Sequence, residues 1–129
     1  YPGDADLLLL NEDNKAVCIL EFKKHTLSSP VSEQCFTNYY PRPDGRKYKR
    51  LALLRDYLAS KSNSRISFFV LYYPTQTYIE QQWKLEVIEG NAFSLRATDS
   101  FIFELPADKS DNEYKKVIEK ISQVIAARS

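Results

Sequence analysis

Two short apolar runs, Leu7–Leu10 and Val17–Phe22, flank the polar stretch Asn11-Glu12-Asp13-Asn14. Turn residues between two such runs predict a β-hairpin. With a two-residue loop centred on Asp13 and Asn14, Leu10 faces Val17, Leu8 faces Ile19, and Asp6 faces Glu21. Side chains alternate across a strand. Asp6, Leu8, Leu10, Val17, Ile19, Glu21 and Lys23 then share one face, and Leu7, Leu9, Cys18, Leu20 and Phe22 the other. A slip of two residues preserves these faces, whereas a slip of one destroys them. Val17–Phe22 is apolar on both faces apart from Glu21, the pattern of a strand covered on both sides. Two acids and an ammonium thus meet at the open end of an otherwise apolar hairpin.

Two facing carboxylates repel, and one would hold its proton unless a cation joined them. Mg²⁺ takes oxygen ligands, typically one or two carboxylates with water and phosphate oxygens. A lysine on the same face is placed to orient or help activate an attacking water. This residue set suits phosphodiester hydrolysis. The competing reading is a solvated Glu–Lys pair that protects a strand edge.

Gly3-x-x-Asp6, four aliphatics, a turn, a second apolar strand and then Glu21-x-Lys23 resembles the core motif of the PD-(D/E)XK nucleases. The close match covers about the first fifth of the chain. The resemblance implies a mixed α/β (α+β) fold, a restriction-endonuclease-like central sheet with flanking helices. It assigns Asp6, Glu21 and Lys23 as catalytic. Asp6, Glu21 and the backbone carbonyl of Phe22 would bind Mg²⁺, with Mn²⁺ as a substitute, and Lys23 would orient or activate the water. The implied activity is a Mg²⁺-dependent deoxyribonuclease acting on DNA, with RNA left open. The alternative is a catalytically inactive module of the same fold that binds nucleic acid or a protein partner. The family core carries a helix and a strand ahead of the first acid. The chain opens at Tyr1 and contains no methionine, as a trimmed or processed chain would.

With 129 residues, 43% hydrophobic and 27% charged, the chain suits a single domain. No run has the length of a membrane span, and no signal peptide is legible. Two cysteines, Cys18 and Cys35, have no metal-binding spacing, so an intracellular, cytoplasmic protein is expected. The net charge of +1 gives no global attraction to nucleic acid. A homodimer, or a place within a larger chain, is compatible with all of this.

Further along, the lone histidine, His25, follows Lys23-Lys24 at the predicted strand end. Val31 to Tyr40 is predicted as a short helix. Within it, Gln34 and Tyr39 are similar to the Gln-x-x-x-Tyr element of the RecB-like branch, offset by one residue. A helix over Arg46 to Lys61 carries Tyr48, Leu51, Leu54 and Leu58 as its apolar stripe. Arg46, Lys47, Lys49 and Arg50 crowd its first turns, where cations oppose the helix dipole and an anion would be favoured. These four, with Lys24 and Gln34, are the candidate nucleic-acid contacts, with a solvated basic turn as the alternative. Tyr39, Tyr40 and Tyr48 are available either to stack on bases or to fill the core. Arg65 to Pro74 reads as a central strand, parallel to the second hairpin strand across the helix. A second hairpin is predicted from Trp83 to Ile88 and Ala92 to Ala97 around Glu89-Gly90-Asn91. A separate short strand follows at Ser100 to Leu105. Ser110 and Glu113 form a capping box for a last helix, with a stripe of Tyr114, Val117, Ile118, Ile121, Val124 and Ile125.

Overall fold

A computed structural model describes residues 7–10, 16–25, 29–40, 42–74, 82–107 and 110–128. The fold is mixed α+β. Five strands, β1 (Leu7–Leu10), β2 (Ala16–His25), β3 (Ser67–Pro74), β4 (Gln82–Asn91) and β5 (Ser94–Glu104), form one sheet in chain order. Among the described residues only β2 and β3 are parallel, from Cys18 opposite Ser67 to His25 opposite Pro74. Helix α1 (Gly45–Ser62) makes the crossover between them, which parallel pairing requires. Helix α2 (Asp111–Arg128) closes the chain. No described helix is long and apolar enough to cross a membrane.

The sheet separates two apolar clusters. On one face Ile19, Phe68, Val70, Tyr72 and Ile88 pack with Tyr48, Leu51 and Ala52 of α1. On the other, Cys18, Leu20, Phe69, Leu71, Leu85 and Val87 meet Val117, Ile121 and Ile125 of α2. The alternation along β2 is the predicted one: Ile19 belongs to the α1 face, Cys18 and Leu20 to the α2 face. Leu8 pairs with Ile19 as expected, but Leu10 pairs with Ala16 rather than Val17 because a bulge falls between Leu9 and Leu10.

The predicted helix over Val31 to Tyr40 is replaced by two 3-10 turns, Val31–Glu33 and Phe36–Asn38, with Gln34 and Cys35 extended between them. The cause lies in β4. An α-helix would pair the Phe36 N–H with the Ser32 carbonyl, and the Asn38 N–H with that of Gln34. Instead Lys84 Nζ donates to both carbonyls, at 3.2 and 2.5 Å, and Glu86 Oε1 accepts from Phe36 N at 2.8 Å. Side chains of the sheet thus take the groups a helix would have used.

The second hairpin also differs from expectation. Its turn is Ala92-Phe93, with Asn91 opposite Ser94, and β5 runs unbroken through both predicted strands. Asn91 Oδ1 accepts from Phe93 N at 2.9 Å, an Asx turn that fixes the reversal there. Gly90 therefore lies inside β4, at φ +101°, and a Cβ on it would approach the Ser94 carbonyl oxygen to 2.0 Å. Gly90→Ala is expected to cost about 3 kcal/mol, since both the backbone conformation and the approach of the two strands must change. A chemical denaturation midpoint at wild-type level would contradict this. In α2, Glu113 N donates to Ser110 Oγ at 3.4 Å, while Ile118, expected in the stripe, is exposed.

Candidate active site

The parallel pair β2/β3 and α1 create the site. The carboxyl ends of parallel strands are where open α/β sheets place their ligand crevices. Here Glu21 and Lys23 occupy the last half of β2. Register places Glu21 beside Val70, which is in turn opposite Glu86, and Lys23 beside Tyr72, which is opposite Lys84. All six positions share the α1 face of the sheet.

Glu21 is 1% exposed. Its carboxylate pairs with Lys47 Nζ from the first turn of α1. A buried carboxylate requires such compensation, because burial of an unpaired charge is strongly unfavourable. Lys23 Nζ pairs with Asp44 Oδ2 at 2.5 Å, where Asp44 is the residue just before α1. The same ammonium lies 4.1 Å from the centre of the Tyr39 ring. Tyr39 donates its hydroxyl to Gln34 Oε1 at 2.9 Å and stacks on Tyr72. Tyr72 in turn donates to Glu86 Oε1 at 2.5 Å. A continuous set of contacts therefore runs from Glu86 in the sheet to the ammonium of Lys23.

Two phenols of this region, Tyr48 and Tyr72, are held neutral, chiefly by burial. Burial pushes the Tyr48 hydroxyl far above its ordinary pKa, with Asp44 and Glu21 adding to the effect. Burial and then Glu86 do the same for Tyr72. The Tyr48 hydroxyl is buried and has no hydrogen-bond partner among the described residues.

Several expected site residues are brought together and others are not. Glu21 and Lys23 share one face, as predicted. Asp6 lies outside the described residues. Gln34 is buried, so it supports Tyr39 from within and offers no surface to nucleic acid, a correction to its expected role. Lys47 turns to Glu21 rather than outward with its neighbours, whereas Lys24, Arg46 and Lys49 are exposed. Tyr48 belongs to the core, and Tyr39 and Tyr40 are half-buried. Asp44, Lys84 and Glu86 were not anticipated. For the last two a signal existed: Lys84 and Glu86 alternate with apolar residues along a strand, which places both charges on a single face.

Oxygen donors suit Mg²⁺ or Mn²⁺. Among the described residues no group of three or more His, Cys, Asp or Glu side chains converges as a complete metal cage. Mg²⁺ does not need one, since it keeps much of its water and uses one or two carboxylates. The Glu21 carboxylate supplies one oxygen donor of the required kind, and Lys47 is paired with it in this structure. No protein-family model, no curated protein and no solved structure matches the chain.

Proposed function

We propose that this protein is a metal-dependent nuclease that hydrolyses phosphodiester bonds in DNA. The observation that carries the proposal is the placement of Glu21 and Lys23 on one face of β2, at the carboxyl ends of the parallel strands and against the start of α1. Glu21, the Phe22 carbonyl and Asp6 would hold Mg²⁺, which would supply positive charge to the phosphoryl oxygens and acidify water. Lys23, restrained between Asp44 and the Tyr39 ring, would hold the attacking water in line. Arg46 and Lys49 offer charge to the phosphates flanking the scissile bond. Lys47 neutralises Glu21 here and would be released to contact phosphate if a cation took its place at the carboxylate.

A second reading has one observation in its favour. The Lys47–Glu21 ion pair already balances the charge of the carboxylate, which suits a catalytically silent module of the same fold. Cleavage of single-stranded, duplex and branched DNA and of RNA, with Mg²⁺, Mn²⁺ or EDTA, separates the two. Metal-dependent cutting that disappears in Glu21→Ala is the expected result. A folded protein that cuts none of these substrates with either metal would leave the silent module.

A further inference from the structure

The near-neutral net charge conceals a strongly uneven distribution. Helix α1 carries six of the Lys and Arg residues and a single acid, Asp56, so the remainder of the chain is net negative. At about 100° per residue, Lys49, Leu53, Arg46, Tyr57 and Lys61 fall within an arc of about 120°. The buried residues Tyr48, Leu51, Ala52 and Arg55 lie on the opposite side. Leu53 is 51% and Tyr57 59% exposed. Beside this arc stands Phe93, at the tip of the β4–β5 turn and 79% exposed. Lys49 Nζ sits 4.5 Å from the Phe93 ring centre, and Lys61 Nζ sits 5.6 Å from that of Tyr57.

Each exposed ring is therefore coupled to an ammonium. A cation over one face of an exposed ring matches the repeating unit of a nucleic-acid strand, a phosphate beside a flat base that can stack on the other face. Apolar contact alone would also suit a protein partner, but the excess of cations on this helix favours a polyanion. Rings of this kind select for single strands, because bases within a duplex are already stacked and present no free face. The track begins at Arg46, next in the chain to Lys47, whose ammonium pairs with Glu21.

We propose that the outward face of α1, together with Phe93, binds single-stranded nucleic acid, with bases stacked on Phe93 and Tyr57 and phosphates held by Arg46, Lys49 and Lys61. The inference rests on the nuclease reading only in leading the strand toward Glu21. The binding itself needs neither metal nor cleavage.

The test is fluorescence anisotropy in EDTA with labelled oligothymidylate, oligouridylate and a duplex of equal length, each at several salt concentrations. Wild-type protein should bind one or both single strands more tightly than the duplex, with affinity falling as salt rises. The two homopolymers report whether the sugar matters. Phe93→Ala should weaken single-strand binding roughly 5- to 150-fold, the effect of losing one stacked base. Lys49→Gln should weaken it and flatten the salt dependence. Phe93 is so exposed that its truncation leaves the fold intact, which circular dichroism will verify. Absence of single-strand binding, equal losses for duplex and single strand, or unchanged binding in Phe93→Ala would each overturn the proposal. Self-association that vanishes in Phe93→Ala, without oligonucleotide binding, would reassign the face to a protein contact. Because Glu21 is intact and no metal is present, failure here is distinct from failure of the nuclease reading.

Discussion

Lys23→Ala is expected to reduce phosphodiester cleavage by roughly 10²- to 10⁴-fold, the range for a side chain that assists proton transfer or positions the reacting water. On the proposed nuclease reading the ammonium serves the water and not the binding of the strand, so the loss should fall on kcat rather than KM. Stability should change little. Lys23 and Asp44 are each about a quarter exposed, at 24% and 26%, so Asp44 regains water when its partner leaves. Lys23→Arg keeps the charge but replaces a compact ammonium by a planar fork, and it should rescue only part of the rate. Cleavage kinetics with a fluorogenic oligonucleotide, beside thermal denaturation of the same samples, check both halves. A well-folded Lys23→Ala protein with full activity would remove the lysine from the mechanism.

The parts of this fold that sequence made legible are those governed by local periodicity. The alternation of Cys18, Ile19, Leu20 and Glu21 gave the two faces of β2. The stripe through Tyr48 and Leu51 gave α1 to within a residue at each end, because an amphipathic pattern and its burial are the same fact. What escaped was decided by contacts distant in the chain. Nothing in Val31 to Tyr40 announces that Lys84 and Glu86, some fifty residues later, take the amide and carbonyls a helix needs. The turn at Ala92-Phe93 was hidden behind the stronger local signal of Gly90, whose freedom serves a close approach to Ser94 instead of the reversal. Asp44 read as a loop residue, and only the proximity of the α1 start to β2 reveals it as the partner of Lys23.

The largest effect on stability is expected at Glu86, 3% exposed in the middle of the α1 face. One oxygen accepts from both the Phe36 N–H and the Tyr72 hydroxyl, and the neighbouring Lys84 is itself buried. Glu86→Ala strands two buried donors and removes the carboxyl group that acts electrostatically on the buried Lys84, at a cost of about 3–5 kcal/mol. Glu86→Gln retains an acceptor at the same place and should lose less. The two variants also separate charge from shape through pH. Burial raises the Glu86 pKa, against the opposing pull of Tyr72, Lys84 and the Phe36 N–H. A carboxyl group with a raised folded-state pKa contributes its stability in full below its unfolded pKa, and that contribution is lost as pH rises through the folded value. Wild type should therefore gain on Glu86→Gln as the solution is acidified from neutrality toward the ordinary carboxylate range. Urea midpoints across that window report it. A wild type that instead loses ground to Glu86→Gln on acidification would show that the hydrogen bonds outweigh burial. The consequence reaches the site, because Tyr72 held by Glu86 supports the Tyr39 ring, and that ring supports Lys23. Glu86→Gln should thus retain cleavage where Glu86→Ala, even under conditions in which it is folded, loses the alignment of the ammonium.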